Sequence, residues 1–226
     1  MRVTAIGIGY LGLTHAVCMA DLGHQVLAID VDVEKVEKAS RGETPFFEPG
    51  LEPLLRKNLD AGRLRFTTSF QEIGEFGEVH FLCVGTPQKP GETAADLSYV
   101  YGALDALAPH LSQECLVVGK STVPVGTARD LLNRVQATAP AGQAVSLLWN
   151  PEFLREGYAV QDTLTPDRFV FGVTTDEDEA VRGKGVLDRV ALAEELGVPQ
   201  QVHGLAGRSR RPDAVQQVAR RAHGNR

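Results

Sequence analysis

The sequence predicts an α/β fold in which a mostly parallel sheet carries helices on both faces. Short apolar, β-branched runs alternate along the chain with segments whose apolar residues recur at helical spacing, which is typical of strand–helix–strand units. The 226 residues are enough to bury one sizeable core of this kind. Polar, turn-rich loops follow three of the predicted strands, at the sheet edge where such folds bind ligands.

A glycine-rich turn marks the first crossover. The segment Gly7-Ile8-Gly9-Tyr10-Leu11-Gly12 lies between the apolar run Arg2–Ile8 and the helix-patterned stretch Leu13–Leu22. The first glycine permits a tight turn, the second lets the backbone approach a pyrophosphate, and the third lets helix and strand pack closely. The helix N-terminus offers free N–H groups to phosphate oxygens. The sequence therefore predicts a Rossmann-like, doubly wound fold that binds a dinucleotide.

The second predicted strand, Gln25–Ile29, ends in an acidic residue, Asp30. An acidic residue about 20 positions after the glycine turn is placed to accept hydrogen bonds from the adenosine ribose hydroxyls. It would also repel a 2′-phosphate, so NAD is favoured over NADP as the cofactor. The alternative is that Asp30 is only the N-cap of a helix over Val31–Ala39.

The remaining elements follow the same alternation. Further strands are predicted at Arg63–Thr67, Glu78–Val84, Cys115–Gly119, Ala144–Trp149 and Phe169–Val173. Further helices are predicted at Leu51–Ala61, Leu97–Leu111, Ala128–Ala137 and Glu177–Leu196.

Composition excludes several function classes. The formal net charge is −6, and no nucleic-acid-binding motif is present, so neither nucleic acid nor a membrane is an expected partner. Cys18, Cys83 and Cys115 lack metal-ligand spacing. We expect buried thiols in a reducing cytoplasm and no metal site. Glycines interrupt the apolar N-terminus, which argues against a secretory signal.

Six motifs stand in collinear order along the chain: GIGYLGL, FFEPGLEPLL (46–55), CVGTPQ (83–88), ADLSYV (95–100), GKSTVPVGT (119–127), and NPEFLREG (150–157) with PDRFVFG (166–172). Together they resemble the motifs of the UDP-glucose/GDP-mannose dehydrogenase family, whose members use NAD to oxidise a sugar hydroxymethyl group to a carboxylate. The resemblance favours the members that convert UDP-glucose to UDP-glucuronate. GDP-mannose and UDP-N-acetylmannosamine remain alternative substrates, since enzymes for both share much of this half.

The resemblance implies roles for individual residues. Thr122 and Glu156 match the pair that orders a water near the reacting hydroxyl, and Glu152 matches the carboxylate that activates water for the final hydrolysis. Lys35 could instead be a solvated helix charge and Arg155 a surface ion pair. The cofactor-binding residues implied are Gly7, Gly9, Tyr10, Leu11, Gly12, Asp30, Lys35, Thr86, Thr122 and Glu156. The substrate-binding residues implied are Glu152, Phe153, Leu154, Arg155 and Glu156.

One expected catalytic group is absent from the sequence. The resemblance implies a cysteine nucleophile in a downstream GGSCFPKD-like motif, together with a lysine and an asparagine that stabilise an oxyanion. Here the last cysteine is Cys115 and the last lysine is Lys184. Replacement by Cys83 is not expected, because an apolar strand neighbour is more often a packed thiol. A catalytically inactive NAD-binding module is therefore the alternative to an active enzyme.

The C-terminal residues depart from the family pattern. His203–Arg226 contains six arginines, no lysine and a single acidic residue, Asp213. We expect an NAD-binding domain over residues 1–200 and a disordered basic tail over 201–226, as in a truncated or frame-shifted dehydrogenase. The helix through which the family forms homodimers would then be missing.

Overall fold

Parallel strands build the centre of the sheet. The computed structural model describes residues 1–112, 114–166, 169–173 and 200–204. The strands are β1 (Arg2–Ile6), β2 (Gln25–Ile29), β3 (Leu64–Thr67), β4 (Val79–Leu82), β5 (Cys115–Gly119), β6 (Val145–Trp149), β7 (Phe169–Val173) and β8 (Gln200–Gly204). Their spatial order is β3-β2-β1-β4-β5-β6-β7-β8.

The order of the first six strands is that of a doubly wound dinucleotide-binding fold. β1 pairs in parallel with β2 on one side and with β4 on the other. The order in which successive strands are added to the sheet therefore reverses between β1 and β4, which makes this the topological switch point. β7 pairs with β6 in the antiparallel sense and β8 pairs with β7 in parallel. The predicted fold class is confirmed, and the switch point lies beside the glycine turn.

The helices differ in places from the predicted ones. They are α1 (Tyr10–Asp21), α2 (Val33–Ser40), α3 (Leu51–Asp60), α4 (Phe70–Phe76), α5 (Ser98–Leu107), α6 (Thr127–Thr138) and α7 (Ala159–Leu164), with a 3-10 turn at Ala108–His110. The predicted helix Leu97–Leu111 loses its α-helical geometry after Leu107, because Pro109 has no N–H to donate to the preceding turn.

The first helix begins three residues earlier than predicted. The backbone N–H of Leu13 donates to the carbonyl of Gly9 at 3.0 Å, so helical bonding starts inside the glycine turn. The second helix is capped by Asp32, whose carboxylate accepts from the N–H groups of Glu34 at 3.0 Å and Lys35 at 3.2 Å. The alternative that Asp30 is the N-cap is therefore wrong.

The two largest hydrophobic clusters of the described residues cover the opposite faces of the sheet. Side chains alternate between faces along a strand, and β2 sends Leu27 and Ile29 into one cluster and Val26 and Ala28 into the other. The first cluster packs against α4, α5 and α6, and the second against α1, α2 and α3. Helices on both faces are thus confirmed.

Two regions bear on the C-terminal predictions. Strand β8 runs across the predicted boundary at residue 200 and places 201–204 in the sheet. The predicted helix Glu177–Leu196 and the rest of the basic tail lie outside the described residues. No helix in the described part of the chain is both long and apolar enough to cross a membrane.

Candidate functional site

The three glycines of the first turn are explained by three different physical reasons. Gly7 has φ +92°, a backbone conformation that residues with a Cβ rarely adopt. A Cβ on Gly12 would lie 1.7 Å from the carbonyl oxygen of Gly7, so only glycine lets α1 pack there. A Cβ on Gly9 would meet no protein atom within 4 Å. Protein packing therefore does not require glycine at position 9, whereas a pyrophosphate against the backbone would.

A cleft of ≈ 600 Å³ opens beside this turn, at the carboxyl ends of β1, β2 and β4. Of the predicted cofactor residues, Gly7, Gly9, Asp30 and Lys35 line it. The other predicted cofactor residues do not line it, namely Tyr10, Leu11, Gly12, Thr86, Thr122 and Glu156. Its further lining residues are Ile6, Ile29, Val31, Phe70, Cys83, Val84, Gly85, Pro87, Ser98, Tyr99, Gly102, Ala103 and Ala106.

Asp30 joins the end of β2 to the glycine turn. One carboxylate oxygen accepts from the N–H of Ile8 at 2.9 Å, and the other accepts from the N–H of Asp32 at 3.0 Å. The ammonium of Lys35 lies 3.9 Å from the same carboxylate. A carboxylate has about four lone-pair sites, so these contacts leave acceptor capacity for ribose hydroxyls. Asp30 and Lys35 are thus together at one side of the cleft.

Hydrogen bonds connect the polar loops that follow β4 and β5 to each other and to the end of β6. The hydroxyl of Thr86 donates to the carbonyl of Thr122 at 3.0 Å, and that of Ser121 donates to the carbonyl of Val84 at 2.5 Å. The indole N–H of Trp149 donates to the carbonyl of Ser121 at 2.8 Å. The structure thus brings Thr86 and Thr122 together, although neither lines the cleft.

A second cavity, of ≈ 440 Å³, lies between α1, α7 and the loop after β6. Of the predicted substrate residues, Phe153, Leu154 and Arg155 line it, while Glu152 and Glu156 do not. Glu152 is partly buried and accepts a hydrogen bond from the N–H of Leu154. Glu156 is exposed. Along the chain, Glu152 and Glu156 thus stand directly before and after the three predicted residues that line this cavity.

Arg155 takes part in an ion pair on the surface. Its guanidinium donates to both carboxylate oxygens of Asp162, at 3.0 Å and 2.6 Å, and lies over the ring of Tyr158. The hydrogen bond to Arg155 holds the pKa of Asp162 below its usual range. This geometry matches the surface ion pair weighed against substrate binding for Arg155.

A buried lysine that lines the second cavity was given no role from the sequence. Lys120 and Asn150 are 6% and 4% exposed, and the ammonium donates to the amide oxygen of Asn150 at 2.8 Å. Burial lowers the pKa of Lys120, against the opposing influence of Cys83 and Glu152. Each of the two residues is the first polar residue after a buried strand. That position in the sequence is the signal by which they could have been identified as site residues.

All three cysteines are buried thiols outside any disulfide, as predicted. Cys83 borders the cofactor cleft, yet burial raises the pKa of its thiol to about 12. Burial also raises the pKa of Cys18 to about 12. Because the thiolate is the nucleophilic form, neither thiol is poised for nucleophilic catalysis at neutral pH.

Comparisons with known proteins agree with this geometry. Residues 1–188 match the model of the UDP-glucose/GDP-mannose dehydrogenase family, NAD binding domain. The chain is 44% identical over 180 residues to a UDP-glucose 6-dehydrogenase of Rhizobium meliloti, covering 80% of this chain and 41% of that protein. It is 46% identical over 191 residues to the Pseudomonas aeruginosa enzyme of the same name, with 80% and 41% covered.

Solved structures give the same result. A UDP-glucose dehydrogenase from Pyrobaculum islandicum superposes with a TM-score of 0.78 at 36% identity, over 97% of this chain and 48% of that one. A GDP-mannose dehydrogenase from Pseudomonas aeruginosa gives a TM-score of 0.76 at 30% identity, over 90% and 46%. The chain spans about 40% of the length of the curated relatives it matches. It belongs to the UDP-glucose/GDP-mannose dehydrogenase family, and its matched residues are those of the family's NAD-binding domain.

Proposed function

We propose that this chain is the NAD-binding half of a UDP-glucose 6-dehydrogenase. The main support for this proposal is the open space at the start of α1, where Gly9 has no Cβ. Phosphate oxygens of NAD would accept hydrogen bonds there from main-chain N–H groups. Asp30 would hold the adenosine ribose, with Lys35 beside it at 3.9 Å. Gly7 and Gly12 would keep the turn in the conformation that exposes those N–H groups.

NAD, when bound, supplies a hydride acceptor for the C6 hydroxymethyl group of the sugar. Thr122 and Glu156 are proposed to hold a water beside that hydroxyl. Glu152 is proposed to accept a proton from the water that attacks in the final hydrolysis. Its partial burial and its main-chain bond to the carbonyl of Lys120, at 3.2 Å, support a fixed position for this residue.

UDP-glucose is the proposed sugar nucleotide because relatives named for it share 40–46% identity with this chain. The GDP-mannose dehydrogenase structure shares 30% sequence identity with it.

The three thiols of this sequence are buried, and no cysteine follows Cys115. A covalent thiohemiacetal intermediate therefore has no accessible cysteine thiol here. We infer that the chain by itself binds NAD and does not form UDP-glucuronate.

The test mixes the purified 226-residue chain with NAD and UDP-glucose. Calorimetry is expected to detect NAD binding, and absorbance is expected to detect no sustained NADH formation. Sustained turnover by the chain alone would contradict the inactive-module proposal. Absence of any binding heat from a folded sample would contradict the NAD site itself. The same chain with Gly9→Ala is the matched control for non-specific heat.

A further inference from the structure

A buried carboxylate connects the cofactor turn to the loop that carries Glu152 and Glu156. Glu48 is 4% exposed and lies between α2 and α3. One of its oxygens accepts from the hydroxyl of Tyr10 at 2.5 Å and from the N–H of Gly157 at 2.9 Å. The other oxygen accepts from the N–H of Ala159 at 2.8 Å. We call Glu48 with these three partners the Glu48 hub.

The partners of Glu48 lie beside the glycine turn and beside Glu156. Tyr10 is the first residue of α1 and directly follows Gly9. Gly157 directly follows Glu156, and Ala159 is the first residue of α7. The N–H of Gly157 also lies 3.3 Å from the Tyr10 hydroxyl oxygen, across 147 positions of sequence. The loop between β6 and α7, residues 150–158, is called the substrate loop below. The hub therefore fixes the end of this loop against the start of α1.

The charge states suit this arrangement. Burial alone would raise the pKa of Glu48, but hydrogen bonds from Tyr10, Gly157, Val160 and Ala159 outweigh it and leave the pKa lowered. Burial, together with the bond to Glu48, raises the pKa of Tyr10 to about 12. At neutral pH the hub is thus a carboxylate that accepts and a phenol that donates. Within the described residues no lysine or arginine forms an ion pair with Glu48.

We propose that Glu48 is a positioning residue that couples occupancy of the NAD site to the order of the substrate loop. This rests on the proposed function, because it takes the glycine turn to be the NAD site. NAD against Gly9 restrains Tyr10, and Tyr10 acts through Glu48 on the N–H groups of Gly157 and Ala159. A ligand that orders one end of such a linkage lowers the entropic cost of ordering the other. Binding of a sugar nucleotide to the loop would tighten NAD binding by the same factor.

The test measures hydrogen exchange in the segment 153–160, with and without NAD, on the full chain. NAD is used at a concentration that saturates each variant by calorimetry. In the wild type, NAD is expected to slow exchange of this segment about fivefold or more. In Glu48→Gln, which loses the charge and one acceptor oxygen, that slowing is expected to disappear although NAD still binds. Glu52→Gln is the matched control, because Glu52 is exposed and its carboxylate pairs with Arg56 on the surface of α3.

Tyr10→Phe serves as a second variant should Glu48→Gln not fold. It removes the phenol oxygen and keeps the ring that packs 4.9 Å from Phe46. At saturating NAD it is expected to lose the slowing as well. Full NAD-dependent slowing in either folded variant, or wild-type binding without slowing, would overturn the coupling and leave the proposed function standing. A wild-type chain that binds no NAD would overturn both.

Discussion

The ammonium of Lys120 and the amide oxygen of Asn150 lie 2.8 Å apart in the interior, one at the end of β5 and the other at the end of β6. This bond joins two neighbouring loops of the candidate site. Removing the acceptor leaves a buried ammonium short of a partner, whereas removing the ammonium leaves only a neutral amide. The two single substitutions should therefore differ in cost.

We expect Asn150→Leu to lower the free energy of unfolding by about 2–4 kcal/mol and Lys120→Met to lower it by less. The double variant should be more stable than the sum of the two single effects predicts, by about 1 kcal/mol or more. Urea unfolding of the four proteins measures this. Lys57→Met is the control, because the Lys57 side chain is exposed and its pair with Asp21 should contribute about 1 kcal/mol or less. Additive effects of the two buried substitutions would contradict the coupling.

Gly12→Ala should destabilise the fold. The added Cβ would lie 1.7 Å from the carbonyl oxygen of Gly7 and 3.0 Å from the Cβ of Cys83, and neither neighbour is a flexible side-chain end. We expect a loss of about 3 kcal/mol or more in the free energy of unfolding. Urea unfolding measures it, and a midpoint equal to that of the wild type would show that α1 does not pack on β1 as described.

His80 should make the fold sensitive to mild acid. It is fully buried on β4, where its Nδ1 lies 2.8 Å from the hydroxyl oxygen of Thr4. Burial lowers its pKa from 6.5 to about 4. The unfolded chain thus binds a proton in a pH range where the folded chain does not. The contribution of His80 to stability is therefore fully present above pH 6.5 and is lost as the pH falls from 6.5 to about 4.

The size of this loss is about 3 kcal/mol for His80. Urea unfolding at a series of pH values through this window measures it. His80→Gln should show a shallower loss, and the remainder reports other buried groups such as His15, whose pKa burial also lowers. His110→Gln is the control, because His110 is exposed. Equal slopes in the wild type and His80→Gln would contradict the account of His80.

Asp30 should set the choice between NAD and NADP. Its carboxylate faces the cleft with Lys35 at 3.9 Å, so it would repel a 2′-phosphate that Lys35 alone would attract. We expect the wild type to bind NAD at least about tenfold more tightly than NADP. Asp30→Asn keeps an acceptor oxygen and should reduce this ratio. Calorimetry with both cofactors measures the ratio, and Asp32→Asn is the neighbouring control. An unchanged ratio in Asp30→Asn would contradict this role.

The sequence predicted what depends on local pattern. The glycine turn and Asp30 were found because their spacing along the chain is itself the signal. The long helices were found because several turns of apolar periodicity are visible in each. The short helices α4 and α7, with seven and six residues, were missed because so few turns carry no clear period.

The contacts between distant segments could not be predicted. Glu48 receives hydrogen bonds from residues 38 positions before it and 109 and 111 positions after it. A lone glutamate in a turn gives no sign of such partners. The pairing of Lys120 with Asn150, 30 positions away, likewise depends on β5 and β6 being neighbours in the sheet. Three-dimensional packing, and not residue type, makes these side chains part of the candidate site.

Calorimetric titration of NAD into the wild type and Gly9→Ala tests the central claim most directly. No protein atom lies within 4 Å of the added Cβ, so the variant should fold with a stability change of about 1 kcal/mol or less. The wild type is expected to bind NAD, and Gly9→Ala is expected to lose at least about tenfold in affinity. Equal NAD affinity in the two folded proteins would contradict this claim.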